Sequence, residues 1–218
     1  MTDLASLYRQ RFDAVELEER RRLWRVLCRG FFQRHVSPDA TLLDLACGYG
    51  EFLWGIAAGE KHGLDLNPDS ARHVPPGTRF HAGSAERVPL PDASLDVVFC
   101  SNFLEHLPDK AAASRVFAEV LRLLRPGGRF LVLGPNMRAV PAAYWDFWDH
   151  HLPLSDKSLA EGLLLAGFEL ERVIPRFLPY STKSHLPRAD WLVASYLRFP
   201  PAWRLLGKQF FLVARKAA

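Results

Sequence analysis

Leu42-Leu43-Asp44-Leu45-Ala46-Cys47-Gly48-Tyr49-Gly50-Glu51-Phe52-Leu53 decides the fold. It begins as an apolar run too short for a helix and bounded by turn residues, which predicts a buried parallel strand. A glycine turn follows. Phe52-Leu53-Trp54-Gly55-Ile56-Ala57-Ala58 then opens an amphipathic helix. Strand, tight turn and helix start together make a place for a nucleotide-like ligand. Glycine lets backbone pass close to the ligand, and the helix start offers unpaired N–H groups.

Outward from this stretch, apolar strands alternate with helical patterns. Lys61–Leu66 reads as a second strand ended by Asn67-Pro68, and Thr78–Gly83 as a weaker third. Ser94–Cys100 reads as a fourth, Arg129–Leu133 as a fifth, Phe168–Ile174 as a sixth and Gln209–Arg215 as a seventh. Lys110–Leu124 is an amphipathic helix, with Ala113, Val116, Phe117, Val120, Leu121 and Leu124 on one stripe, stopped by Arg125-Pro126-Gly127-Gly128. Helices are also expected over 3–35, from Ser155 to Ala166 and from Ala189 to Leu197. The run Glu18-Glu19-Arg20-Arg21-Arg22 reads most simply as a solvated helix face with internal acid–base pairing. Seven strands with intervening helices make an α/β, doubly wound, Rossmann-like domain. The expected organisation is one domain over 1–218, with an N-terminal helical cap over 1–37 and two insertions over 135–154 and 175–205. The insertions follow strand ends, where substrate pockets form.

A dinucleotide site would ask for G-x-G-x-x-G/A. Here Glu51, Phe52 and Leu53 follow Gly50, so the third small residue is missing. An acidic residue, Asp44, precedes the glycines instead. At this point the chain resembles the class I S-adenosylmethionine-dependent methyltransferases, and among them the type 11-like group. Their first motif runs acidic-x-Gly-x-Gly-x-Gly, and Asp44, Ala46, Gly48 and Gly50 fall on it, with Ala46 in place of the first glycine. Asp65 falls about 15 residues further on, on the acidic position of the second motif, where a carboxylate can hold a ribose diol. The stretch Ser94-Leu95-Asp96-Val97-Val98 is similar to the family's Ser-Phe-Asp-Val-Val, and Leu124-Arg125-Pro126-Gly127-Gly128-Arg129 to its structural turn before the fifth strand. The resemblance covers roughly 41–168 and extends loosely to an antiparallel last strand.

The resemblance implies S-adenosyl-L-methionine as cofactor, lined by Asp44, Ala46, Gly48, Gly50, Asp65, Leu66, Ser84, Ala85, Ser101 and Asn102. Ser84 stands where relatives carry an adenine-binding aspartate, which shifts that contact toward the Ala85 backbone. Tyr8 and Arg11 are candidates to cover the cofactor. The expected activity is methyl transfer to a small molecule, through oxygen, on a natural-product or glycan-related acceptor. Trp148–Leu154 and Leu178–Lys183 loosely resemble segments of relatives in such pathways. If the acceptor is a hydroxyl, a histidine near neutral pKa is the usual base. His151 ranks first, His150 second and His106 third. No metal is expected, because no His/Cys/Asp group has metal-ligand spacing along the chain; Asp146, Asp149, His150 and His151 come nearest. Two other readings stay open: a non-catalytic nucleotide-binding regulatory module, and an NAD-dependent oxidoreductase, which the absent Tyr-x-x-x-Lys disfavours.

Composition bounds the rest. The chain has 218 residues, 49% hydrophobic, enough for a sizeable core. No apolar run is long enough to span a membrane, and Met1-Thr2-Asp3-Leu4 lacks a signal peptide's apolar core. Three cysteines, Cys28, Cys47 and Cys100, with no C-x-x-C, fit a reducing cytoplasm. The net charge of +4 is uneven. The last part of the chain carries Arg172, Arg176, Lys183, Arg188, Arg198, Arg204, Lys208, Arg215 and Lys216, against Asp190 alone, so an acidic acceptor is one expectation. A nucleic-acid acceptor is not expected: Asn102-Phe103-Leu104 replaces the Asn/Asp-Pro-Pro-Tyr/Phe of base amino-methylases, and the Pro-Cys pair of cytosine C5 enzymes is absent.

Overall fold

The computed structural model describes residues 14–179 and 189–218. Its centre is a seven-stranded sheet in the order β3-β2-β1-β4-β5-β7-β6. The strands are β1 (Thr41–Leu45), β2 (Glu60–Asp65), β3 (Arg79–Ala82), β4 (Leu95–Ser101), β5 (Leu124–Pro135), β6 (Phe168–Ile174) and β7 (Gln209–Lys216). β1 pairs in parallel with both β2 and β4. β7 is antiparallel to β5 and to β6, so the last strand in the chain is inserted between its two neighbours. The strand order reverses between β1 and β4. In open α/β sheets the ligand crevice lies there, beyond the carboxyl ends of the strands.

The helices are α1 (Ala14–Gly30), α2 (Glu51–Gly55), α3 (Lys110–Leu123), α4 (Asp156–Leu165), α5 (Asp190–Arg198) and α6 (Pro200–Leu206). Strand side chains alternate between two cores, as the period of two requires. Leu43, Leu45, Val98, Cys100, Phe130 and Val132 face α3 and α4. Leu42, Val97, Phe99, Leu131, Phe211 and Val213 face α1, α2 and Trp203 of α6. The second core is aromatic: Phe52 stacks on Phe99 with ring centroids 3.7 Å apart, and Phe31 meets Phe177 at 4.1 Å. Each fully buried phenylalanine contributes about 1.5–3 kcal/mol. This packing fixes where α2, and hence the glycine turn before it, sits over the sheet. Capping defines the other helices. Asp109 accepts from the Ala112 N–H at 2.7 Å, and Ser155 with Ser158 forms a capping box.

Two boundaries differ from expectation. The first helix after the glycine turn stops at Gly55, where a Cβ would lie 2.8 Å from both the Cys28 sulfur and the Trp24 carbonyl oxygen. Close approach of α1 ends it there. The fifth strand starts at Leu124, which pairs with Leu95, and the Arg125–Gly128 turn is carried as an irregularity in the register before Arg129 pairs with Val97. The expected helix over 3–35 is present from Ala14 to Gly30, followed by a 3-10 turn over Phe32–His35. Its first part, with Tyr8 and Arg11, lies outside the described residues, as do Lys183 and Arg188. Among the described residues no helix is long and apolar enough to cross a membrane.

Candidate functional site

The apolar run of β1 ends at Leu45, and the backbone then enters the left-handed region three times: Ala46 (φ 60°), Gly48 (φ 53°) and Gly50 (φ 73°). At Gly50 a Cβ would stand 3.0 Å from Val74 Cγ1 and 3.2 Å from its Cα. Glycine is therefore required there twice, for conformation and for space. Ala46 adopts the same region with a Cβ, a cost of about 1–2 kcal/mol that the surrounding hydrogen bonds must offset. Those bonds are specific. The Cys47 N–H donates to the Leu64 carbonyl at 2.9 Å, and the Gly50 N–H to the Cys47 carbonyl at 2.8 Å. The Gly48 N–H donates to Asp65 Oδ2 and the Asn67 N–H to Asp65 Oδ1, each at 2.8 Å. Asp65 thus clamps the carboxyl ends of β1 and β2.

Three carboxylates surround this turn: Asp44, Glu51 and Asp65, each buried. Burial first, then the charges of Glu51 and Asp65, push the Asp44 carboxyl well above its usual range. Burial likewise raises Asp65, opposed by the N–H groups of Asn67 and Gly48. Glu51 is paired with Arg20 of α1 at 2.9 Å. Arg21 donates to the His73 carbonyl at 2.9 Å and lies over the Trp54 ring. The arginine run is therefore more than a solvated face: two of its members tie α1 onto the turn, which the sequence spacing did not reveal. Tyr49 packs at a tilt against His73, with ring centroids 4.1 Å apart.

The other sequence-derived positions lie at or just after the carboxyl ends of β2, β3 and β4. Leu66, next to Asp65, is 61% exposed, a large apolar side chain at the mouth of the sheet. Ser84 is exposed and its hydroxyl accepts the Glu86 N–H at 3.2 Å, so it shapes a turn, while Ala85 is buried. Asn102 follows β4 with φ 48°, its N–H donating to the Leu133 carbonyl at 2.9 Å and its amide to Ser101 Oγ at 3.1 Å. A crevice with buried carboxylates, close backbone and an exposed leucine suits a ligand with cationic groups, a ribose and a flat base.

The three candidate histidines separate. His151 is exposed, and only its backbone is engaged here, donating to the Glu105 carbonyl at 2.8 Å. His150 is buried, with Nδ1 2.9 Å from the Tyr144 carbonyl. His106 is half-buried, with Nδ1 2.9 Å from the Asp149 carbonyl and 3.3 Å from its carboxylate. The two rings meet edge to face at 5.0 Å. Glu105 completes the group at 4% exposure. Burial pushes its carboxyl up to about 8; its own backbone N–H lowers it and nearby Asp149 raises it. One ligand atom each from Glu105, His106 and His150 lies within 4.8 Å of the others. Sequence reasoning weighed the histidines singly and passed over Glu105. The Glu105-His106 pair at the end of β4 was the available signal.

Comparison with known proteins decides the family. A family model described as a methyltransferase domain matches residues 43–132, the stretch from β1 through most of β5. A protein of Mycolicibacterium smegmatis named "Probable S-adenosylmethionine-dependent methyltransferase" is 36% identical over 154 residues, 66% of this chain and 57% of that protein. Residues 43–132 carry the methyltransferase domain of the class I S-adenosylmethionine-dependent methyltransferases. A 2-methyl-6-phytyl-1,4-hydroquinone methyltransferase from Synechocystis is 28% identical over 189 residues, 77% of this chain and 53% of that protein. The chain thus spans about half the length of the curated relatives it matches. A crystal structure of an S-adenosylmethionine-dependent methyltransferase from Archaeoglobus fulgidus superposes with a TM-score of 0.66 at 19% identity, over 90% of this chain and 94% of that one. The cofactor that this class I methyltransferase family implies is S-adenosyl-L-methionine. The acidic, glycine-lined crevice fits its sulfonium, ammonium and ribose groups.

Proposed function

We propose that this class I methyltransferase transfers a methyl group from S-adenosylmethionine to a hydroxyl of a small acceptor seated beside Glu105, His106 and His150. The carrying observation is the Ala46–Gly50 turn locked by Asp65 beneath buried Asp44, at the point where the strand order reverses. Asp65 would hold the ribose hydroxyls, Asp44 and the turn the amino-acid portion, and Leu66, Ser84 and Ala85 the adenine. Ser101 and Asn102 would line the same crevice. The sulfonium supplies an already electrophilic methyl group. The chain's contribution is then to orient the acceptor oxygen, exclude water and take up a proton. His106 and His150 stand where the proton would go. Their Nδ1 atoms face carbonyls, so each neutral ring carries its lone pair on Nε2.

The natural-product or glycan-related acceptor class rests on the loose resemblance of Trp148–Leu154 and Leu178–Lys183 to segments of relatives in such pathways; positions 180–183 of the second segment lie outside the described residues. The hydroquinone methyltransferase relative favours a second acceptor class, a phenolic or quinol ring. Thermal shift with S-adenosylhomocysteine, NAD and NADP is the first test, and S-adenosylhomocysteine alone should stabilise the protein. Labelled S-adenosylmethionine offered with hydroxylated glycans, phenols and prenyl hydroquinones then sorts the acceptor. Stabilisation by NAD and none by S-adenosylhomocysteine would sink the reading.

A further inference from the structure

Glu105 sits at the carboxyl end of β4 with 4% exposure, and a Cβ on Gly134 would lie 3.9 Å from its Oε2. No side chain among the described residues hydrogen-bonds its carboxylate, and the charge of Asp149, another acid, acts against its ionisation. Burial beside a second carboxylate disfavours the charged form of Glu105, and a cation bound against it would restore that form. Two imidazoles face the same place. His106 comes from the same 3-10 turn, and His150 from the aromatic insertion that folds back over it. The insertion is held by the His151 and Leu152 N–H groups, which both donate to the Glu105 carbonyl at 2.8 and 3.1 Å. Each imidazole is oriented through Nδ1 by a carbonyl oxygen, Asp149 for His106 and Tyr144 for His150, and the Asp149 carboxylate stands 3.3 Å from His106 Nδ1. Carbonyls and carboxylates behind the distal ring nitrogen are the usual outer partners of metal-ligating histidines.

We infer that Glu105, His106 and His150 form a binding site for a divalent transition-metal cation, with Zn2+ the best match. Two neutral imidazoles and one carboxylate are borderline ligands that suit Zn2+ over Mg2+ or Ca2+. With metal–ligand distances of about 2.0–2.2 Å, donor atoms in a tetrahedral site stand roughly 3.4 Å apart. The present separations, up to 4.8 Å, need an inward movement of about an ångström. Three protein ligands leave a fourth position open, which in catalytic sites takes water or substrate. A ring whose lone pair is on the cation cannot take the acceptor's proton, so the metal-loaded and proton-accepting forms of this cluster are alternatives, and the inference extends the proposed function to the loaded form.

The test is a titration of the full chain, freed of tags and treated with chelator, with Co2+ followed by its visible d–d absorption, and with Zn2+ by calorimetry. Wild type should bind one equivalent and develop the absorption band of an N/O-ligated cobalt. Glu105→Gln and His106→Gln should each weaken binding at least tenfold. His81→Gln, in the separate His62–His81 pair, should not. Retained stabilisation of each variant by S-adenosylhomocysteine shows that it is folded, and a failure of that stabilisation in wild type would count against the cofactor reading alone. Should a variant not fold, wild-type stoichiometry and the cobalt spectrum still decide. A wild type that binds no cobalt, or one whose binding ignores both substitutions, overturns the inference.

Discussion

The Gly48 N–H donates to Asp65 Oδ2 at 2.8 Å, across the first crossover of the sheet. This bond ties the turn after β1 to the end of β2. With the Asn67 N–H on the other oxygen, it makes one carboxylate the keystone of two loops. Asp65→Ala should therefore act twice. Two N–H groups lose their acceptor, at about 1–3 kcal/mol for each that stays buried, and the ribose loses its partner. Wild type at a hundred times the dissociation constant of S-adenosylhomocysteine should gain about 2.7 kcal/mol. The variant should melt lower and gain less. Binding equal to wild type would remove Asp65 from the ribose assignment.

Gly50→Ala tests the turn independently of charge. The added Cβ meets Val74 at 3.0–3.2 Å, and the φ of 73° is one that side chains rarely adopt. Together these should cost about 1–2 kcal/mol or more, read as a lower denaturant midpoint. Because the turn must shift to make room, stabilisation by S-adenosylhomocysteine should also shrink. Gly77→Ala is the control: its φ is 83° but nothing lies within 4 Å, so it should lose stability without losing the ligand response.

How far the sequence reached can be seen at particular residues. The β1 run, the glycines and Asp65 were legible because their chemistry is local: a strand period, a turn and an acidic residue one crossover away. The antiparallel last strand came with the family resemblance, whereas its place between β5 and β6 depends on pairings distant in sequence. The pairing of Arg20 with Glu51 was hidden, since it depends on where α1 docks. The union of Glu105 and His106 with His150 was hidden for the same reason. The insertion has to fold back and hang from the Glu105 carbonyl before the rings meet. Periodicity carries no information about that.

His35 gives a stability prediction with a definite sign. Its ring lies between Phe31 and Phe211, at 5.6 and 5.4 Å, and its Nε2 has no hydrogen-bond partner among the described residues. Burial, then Arg172, Arg34 and Arg129, lower its pKa from 6.5 to about 4. The fold thus favours neutral imidazole, and between those values the unfolded chain binds more protons. This contribution is fully present above about 6.5 and is lost as pH falls toward about 4. The denaturant midpoint of wild type should fall across that window more steeply than that of His35→Gln. Parallel curves for the two proteins would refute the assignment.

The last prediction concerns the three candidate histidines and reverses the order that the sequence suggested. His151 has the aromatic neighbours in sequence, yet its side chain is exposed. His150 is buried among Tyr144 and Phe147, whose rings lie 4.7 and 4.8 Å from its own, and these exclude water. His106 is half-buried beside Asp149. Proton transfer from a bound hydroxyl needs a base within hydrogen-bonding reach of it, and a positioned base contributes about 10²–10⁴-fold. His106→Gln and His150→Gln should therefore lower kcat by that order while KM for S-adenosylmethionine stays near wild type, since neither ring belongs to the glycine turn. His151→Gln should keep kcat within a few fold, because its backbone N–H to Glu105 survives the change. Folding is checked in each case by stabilisation with S-adenosylhomocysteine. If His151→Gln alone abolishes turnover, the acceptor sits on the exposed side of the insertion and the Glu105 cluster is structural. If all three retain kcat, methyl transfer proceeds by positioning alone.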